Sequence, residues 1–215
     1  MRATALAAAV IWLASNGAHA QEIAVTPPAP AEAAPPPAWS FLATGFWNMP
    51  RHEDSYGSGI FSADHGQLHL EARVNYEAMH AQSGFVGWSF SGGETFQYKV
   101  TPIVGVVVGS AHGPIAGVEA SLAVSKFDYY IEAEYLPGTG STTPYTYAWS
   151  ELGFRPVQWL RVGLVAQRTR IYGGDREFQR GGLVQLTFGK VTGSVYWFNP
   201  ASHDQVVIAA MSLAF

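Results

Sequence analysis

Gln205 to Phe215 reads QVVIAAMSLAF. Its odd-numbered positions, Val207, Ala209, Met211, Leu213 and Phe215, form an apolar stripe at the two-residue period of a strand, and the final residue is aromatic. Such a stripe must lie against a protein core or against lipid, and other strands have to decide which. QLHLEARVNYEA, starting at Gln67, shares the pattern most clearly. Leu68, Leu70, Ala72, Val74 and Tyr76 alternate there with Gln67, His69, Glu71, Arg73 and Asn75, giving one apolar face and one charged face.

The amino end points to export. Arg2, an apolar run from Ala3 to Leu13 and the small-residue site Ala18-His19-Ala20 read as a cleaved signal peptide over residues 1–20. The run is shorter than the roughly 20 residues a spanning helix needs. Residues 21–38 include TPPAPAEAAPPPA, a Pro/Ala-rich leader that stays extended and cannot form a core. With no cysteine, neither a lipid anchor at the cleavage site nor a disulfide framework is expected. A formal net charge of −4 gives no basis for a nucleic-acid partner.

From Trp39 onward strand signals recur without a convincing helix. They fall at about Trp39–Trp47, Tyr56–Ala63, Gln67–Tyr76, Ser83–Ser91, Glu94–Gly109, Pro114–Val124, Phe127–Tyr135, Tyr145–Phe154, Gln158–Thr169, Gln179–Phe188, Val191–Phe198 and Gln205–Phe215. Connections alternate between short turns, such as Ser125-Lys126 and Gly189-Lys190, and longer loops, such as Leu136–Pro144 and Arg170–Phe178. Short turns on one side and long loops on the other describe an antiparallel transmembrane up-and-down β-barrel, and even parity favours about 12 strands over residues 39–215, with 10 as the fallback. The weak strand at Tyr56–Ala63 is placed chiefly to satisfy that parity.

The closing strand resembles that of proteobacterial outer-membrane β-barrels. LHLEARVNYE, YKVTPIVGVVVG, EAEY, YAWSELGFRPVQWLRVGLVAQRT and QRGGLV resemble a family of such proteins, many of uncharacterised function. The resemblance implies location in the bacterial outer membrane and an assembly partner, the barrel-insertion machinery, for which Phe215 is the signal. It specifies an architecture and attaches no activity.

Two faces follow. Val86, Trp88, Phe90, Phe96, Tyr98, Phe127, Tyr129, Ile131, Tyr135, Phe188, Trp197 and Phe215 are expected to face lipid, with aromatics near strand ends. Glu71, Arg73, Lys99, Glu119, Asp128, Glu132, Glu134, Glu151, Arg161, Gln167 and Gln185 are expected inside. Pairing Val124 with Phe127 sets Glu119 opposite Glu132, like charges that repel unless solvated, protonated or countered by a base. Register across the next short turn sets Glu151 opposite Arg161, part of that compensation. These residues are candidates for a weakly cation-favouring passage or for an ion-pair network that fills the barrel. The apolar inward residues Val206, Ile208 and Ala210 argue against a wide aqueous pore. Arg168 and Arg180 share the lipid-facing register beside a long loop, where they would contact lipopolysaccharide phosphates or snorkel into the headgroups.

Catalytic chemistry finds little support. Ser202-His203-Asp204 is the one compact set of triad residues, but adjacent residues point in different directions. His52, His65, His69, His80, His112 and His203 show no paired-histidine ligand spacing, so neither a metal nor another cofactor is expected. The expectation is an integral outer-membrane barrel, structural or a narrow passive channel with a charged, partly plugged lumen, in contact with outer-membrane lipid and lipopolysaccharide. Its oligomeric state is not legible in the sequence. An outer-membrane enzyme acting on lipid or peptide and a soluble exported barrel holding a small apolar ligand are the alternatives. The last would place the apolar register inside.

Overall fold

The structure is a computed structural model that describes residues 38–140, 142–172 and 176–215. The expected signal peptide and nearly all of the Pro/Ala-rich leader lie outside them. Among the described residues thirteen strand segments form one sheet: β1 (Trp39–Pro50), β2 (Tyr56–His65), β3 (Leu68–Val74), β4 (Ala81–Trp88), β5 (Phe90–Gly92), β6 (Phe96–Gly109), β7 (Gly113–Val124), β8 (Phe127–Leu136), β9 (Tyr145–Val157), β10 (Leu160–Ile171), β11 (Arg176–Phe188), β12 (Val191–Phe198) and β13 (Val206–Ala214). Both β4 and β5 pair with β6 in one register, Gly87 opposite Ile103 and Phe90 opposite Val100, so they are two pieces of one strand interrupted at Ser89. The barrel therefore has 12 strand positions, each antiparallel to its sequence neighbour.

Closure is made by β1 against β13, with Leu42 opposite Ala214 through Pro50 opposite Val206. Phe41 and Phe215 extend the pairing, exchanging backbone hydrogen bonds of 2.8 and 3.0 Å while their rings stack 5.5 Å apart. A closed ladder leaves no sheet edge, the condition for a β-structure to lie in lipid. Tyr56–His65 is a full strand, paired on both sides as even parity requires, and the barrel has 12 strand positions, not the fallback of 10.

The two-residue period sorts side chains by medium. In β3 His69, Glu71 and Arg73 are buried, whereas Leu70 and Val74 are exposed on the outer wall. The outer wall carries a mid-height belt that includes Val104, Val106, Leu152, Leu164, Val184 and Met211. Aromatic side chains border it. Near the short turns lie Trp88, Phe90, Phe96 and the pairs Phe127–Phe154 and Trp159–Phe188, with centroids 5.0 and 6.5 Å apart. Near the long loops lie Trp47, Trp197, Phe178 and the edge-on pair Tyr135–Tyr172. Water would not tolerate so continuous an apolar surface, and bilayer hydrocarbon flanked by headgroups requires one. The molecule is a transmembrane β-barrel. A soluble barrel with its apolar register inside is the inverse of this arrangement.

One element departs from its expected place. Tyr76 was expected to continue the outward apolar stripe of β3, but the strand ends at Val74 and Asn75 takes a left-handed conformation, φ 51°. Asn75 then anchors a loop: its N–H donates to the Ala81 carbonyl at 2.8 Å and its Oδ1 accepts from the His80 N–H at 2.9 Å. The loop folds inward, and Tyr76 and Ala78 pack against apolar clusters inside the barrel.

The outer belt yields a specific expectation. Leu164→Arg, at a side chain 65% exposed, should cost about 2–4 kcal/mol in lipid-vesicle unfolding titrations, as expected for a cation near the bilayer midplane. A near-zero cost would mean that this wall faces water.

Candidate functional site

Inward-facing side chains come from all around the ladder, so residues far apart in sequence meet across the interior. Two ionic networks result. The first centres on Arg73 of β3, whose Nε lies 2.5 Å from Glu71 Oε1 and whose Nη1 lies 2.6 Å from Glu134, 3.1 Å from Glu132 and 3.2 Å from Glu77. Its Nη2 is 3.8 Å from Glu119. Because β4 and β6 separate β3 from β7 and β8 in the ladder, the Arg73 side chain is a crossbar over the interior. The guanidinium also lies 4.7 Å from the Tyr76 ring centre and 4.3 Å from that of Phe85, so aromatic faces cover what the carboxylates leave. Tyr130 and Tyr76 hydroxyls each donate to Glu132 Oε2 at 3.3 Å.

Glu119 does sit opposite Glu132 in the β7–β8 ladder. Their repulsion is relieved by Arg73 and not by the Glu151–Arg161 pair, because strand order brings β3 to them through the interior. Glu77 takes part in this network with a fully buried side chain, which no pattern in the sequence foreshadows. A residue in an apparent loop is placed inside only by the left-handed turn at Asn75.

The second network centres on Arg161 of β10. Its Nε and Nη2 donate to Asp128 Oδ1 at 2.8 and 2.5 Å, and its Nη1 donates to Glu151 Oε2 at 2.6 Å and Gln185 Oε1 at 2.9 Å. Gln185 passes a hydrogen bond to the Tyr196 hydroxyl at 3.1 Å, and the Trp149 indole N–H donates to Glu151 Oε1 at 3.0 Å. Arg155 Nε sits 3.2 Å from Asp128 Oδ2. Arg161 and Glu151 do meet, but not as cross-strand partners. The β9–β10 turn lies at Gln158-Trp159, with Leu160 opposite Val157, not at Arg155–Val157, so Glu151 pairs with Val165 while Arg161, beside a one-residue register shift, reaches it diagonally. Gly153 makes the room: a Cβ there would lie 2.2 Å from Arg161 Nε and 2.3 Å from Asp128 Oδ1.

Apolar side chains also point inward and form two clusters among the described residues. One cluster joins Phe46, Ile60, Tyr130, Trp149, Phe198 and Ile208 among others, with Val206 packed against it. Another gathers Phe85, Ile103, Val107, Ile115 and Leu136. Lys99 reaches Asp64 at 3.4 Å near the short-turn end and remains about one-third exposed. Gln167 is half-buried.

Arg168 and Arg180 are exposed on the outer wall of adjacent strands, diagonal to each other, with Arg168 opposite Phe178 and Ala166 opposite Arg180. Ser202, His203 and Asp204 do not assemble as a triad. The Ser202 hydroxyl donates to the Asn199 carbonyl at 2.9 Å, and His203, 81% exposed, stacks on His52 at 4.2 Å.

The sequence matches no protein-family model and no curated protein sequence. Its fold is similar to the crystal structure of Pseudomonas aeruginosa OccK5 (OpdH), with a TM-score of 0.45 and 7% identity over 82% of this chain and 66% of that one. This chain thus spans slightly under two thirds of that protein's length.

The Arg161 network can be tested by removing its base. Arg161→Met should lower unfolding free energy by about 3–5 kcal/mol, since it strands buried carboxylates, and adding Asp128→Asn should restore part of the loss. Chemical denaturation in detergent reads both. Additive losses in the double variant would mean that the pair is not coupled.

Proposed function

We propose that this chain is an integral outer-membrane β-barrel with a largely filled, acidic interior, serving as a structural barrel or as a narrow passive channel that favours small cations. The Arg73 crossbar carries the reading. One guanidinium faces the carboxylates of Glu71, Glu77, Glu119, Glu132 and Glu134, so the charge left along the interior is negative. Anions entering there would meet repulsion in a medium of low dielectric, whereas small cations would meet acceptors. The inward loop at Tyr76 and the apolar clusters narrow the path and weigh against bulky solutes.

Two surface contacts belong to the same proposal. Arg168 and Arg180 would bind lipopolysaccharide phosphates at the long-loop end, where two adjacent guanidinium groups suit a phosphate better than a zwitterionic headgroup. Phe215 would be read by the barrel-insertion machinery during assembly.

Planar-bilayer recording tests the channel. Insertion should give small or silent conductance, and any current should reverse in a KCl gradient at a potential showing cation preference. Replacing Tyr76 and Glu77 with glycine should raise conductance by withdrawing the inward loop. A large, weakly selective conductance in the parent protein, unchanged in that variant, would overturn the filled-interior reading.

A further inference from the structure

The interior holds a constellation at the edge of the Arg73 network that includes a histidine neither network uses. His69 and Glu71, two residues apart on the inward face of β3, stand beside Glu119 of β7. One potential ligand atom from each lies within 4.8 Å of the others, and all three residues are buried. His69 Nδ1 is 2.9 Å from Asp64 Oδ1. An ionised carboxylate only accepts hydrogen bonds, so this contact puts the imidazole proton on Nδ1 and leaves the Nε2 lone pair facing inward.

That Nε2 is buried, its side chain is 6% exposed, and it has no hydrogen-bond partner among the described residues. The nearest acid oxygen, Glu71 Oε2, is 3.8 Å away, too far for a hydrogen bond. Two donors about 2.0–2.2 Å from a shared metal ion, at an angle near tetrahedral, stand roughly 3.4 Å apart, so His69 and Glu71 need only a slight side-chain rotation, while the Glu119 carboxylate, within 4.8 Å, has to swing closer. Glu71 is already oriented for both tasks: Oε1 is held by Arg73 at 2.5 Å, while Oε2 faces His69. Asp64 occupies the position of the carboxylate that orients a metal-bound histidine, and Lys99 holds it from the other side at 3.4 Å.

We propose that His69 Nε2, Glu71 and Glu119 form a binding site for one divalent transition-metal ion, with zinc the best match, oriented by Asp64. The imidazole ligand disfavours calcium and magnesium, which prefer all-oxygen shells. Two carboxylates with one neutral imidazole give a site charge that a divalent ion cancels, and water would complete the coordination. The ion would tie β3 to β7 across β4 and β6 near the short-turn end. The proposal goes beyond the channel reading and stands whether or not the barrel conducts.

Zinc titration of the full chain, refolded in detergent and stripped with a chelator, tests it by calorimetry, with heat-modifiable migration reporting the fold. One zinc ion per chain is expected. Binding should weaken about tenfold or more in His69→Ala and in Glu119→Gln, and by roughly 10- to 100-fold in Asp64→Asn, which keeps the ligands and alters only their orientation. His52→Ala combined with His203→Ala should leave it unchanged, and a tenfold excess of calcium should not displace it. Should His69→Ala fail to fold, Asp64→Asn carries the test. Absence of one-to-one binding, binding that survives both His69→Ala and Asp64→Asn, binding lost with the His52/His203 pair, or displacement by calcium would each overturn the proposal.

Discussion

Every backbone N–H and C=O inside a bilayer must find its partner within the protein, and this requirement governs the whole molecule. The β1–β13 pairing meets it by turning a sheet of 12 strand positions into a closed surface. With closure, each strand has two neighbours and one inward face, and the period of two assigns every side chain to lipid or to the interior. The aromatic borders and the aliphatic belt follow from that assignment. So do the charges inside, because no other place in the membrane span accepts them.

What the interior does with those charges is unequal in its two halves. Around Arg161 the groups are matched: two guanidinium groups, two carboxylates, an amide, a phenol and an indole satisfy one another. Such a network is weak evidence for net stability, since desolvation offsets much of the attraction, but losing one member leaves the others stranded. Around Arg73 one base faces five acids. An excess of acid in a dry place is held only by shared protons, bound cations or water. The channel and metal proposals both draw on this imbalance, at different places within it.

Much of the barrel was legible in sequence because lipid and interior impose opposite chemistry on alternate residues. QVVIAAMSLAF and QLHLEARVNYEA display that alternation openly. Turn residues then set the strand count, and even the weak strand at Tyr56 followed from parity. Facing pairs across a short turn were legible too, as Glu119 and Glu132 show. The Glu151–Arg161 contact was foreseen with the wrong register, because β9 runs on to Val157 and the turn falls at Gln158-Trp159, about two residues later than the strand pattern placed it.

By itself the sequence determined the transmembrane barrel, its polarity of short turns and long loops, and which ionisable groups within the strands point inward, since each depends on neighbours one or two residues away. Only the tertiary structure decided that Arg73 counters Glu119, Glu132 and Glu134, that Tyr76 and Glu77 turn back inside, and that His69 and Glu71 stand beside Glu119. Histidine spacing alone could not reveal that cluster. Its third member belongs to a strand brought near by the curvature of the closed wall, and the distance across a barrel is set by the number and stagger of its strands, not by separation along the chain.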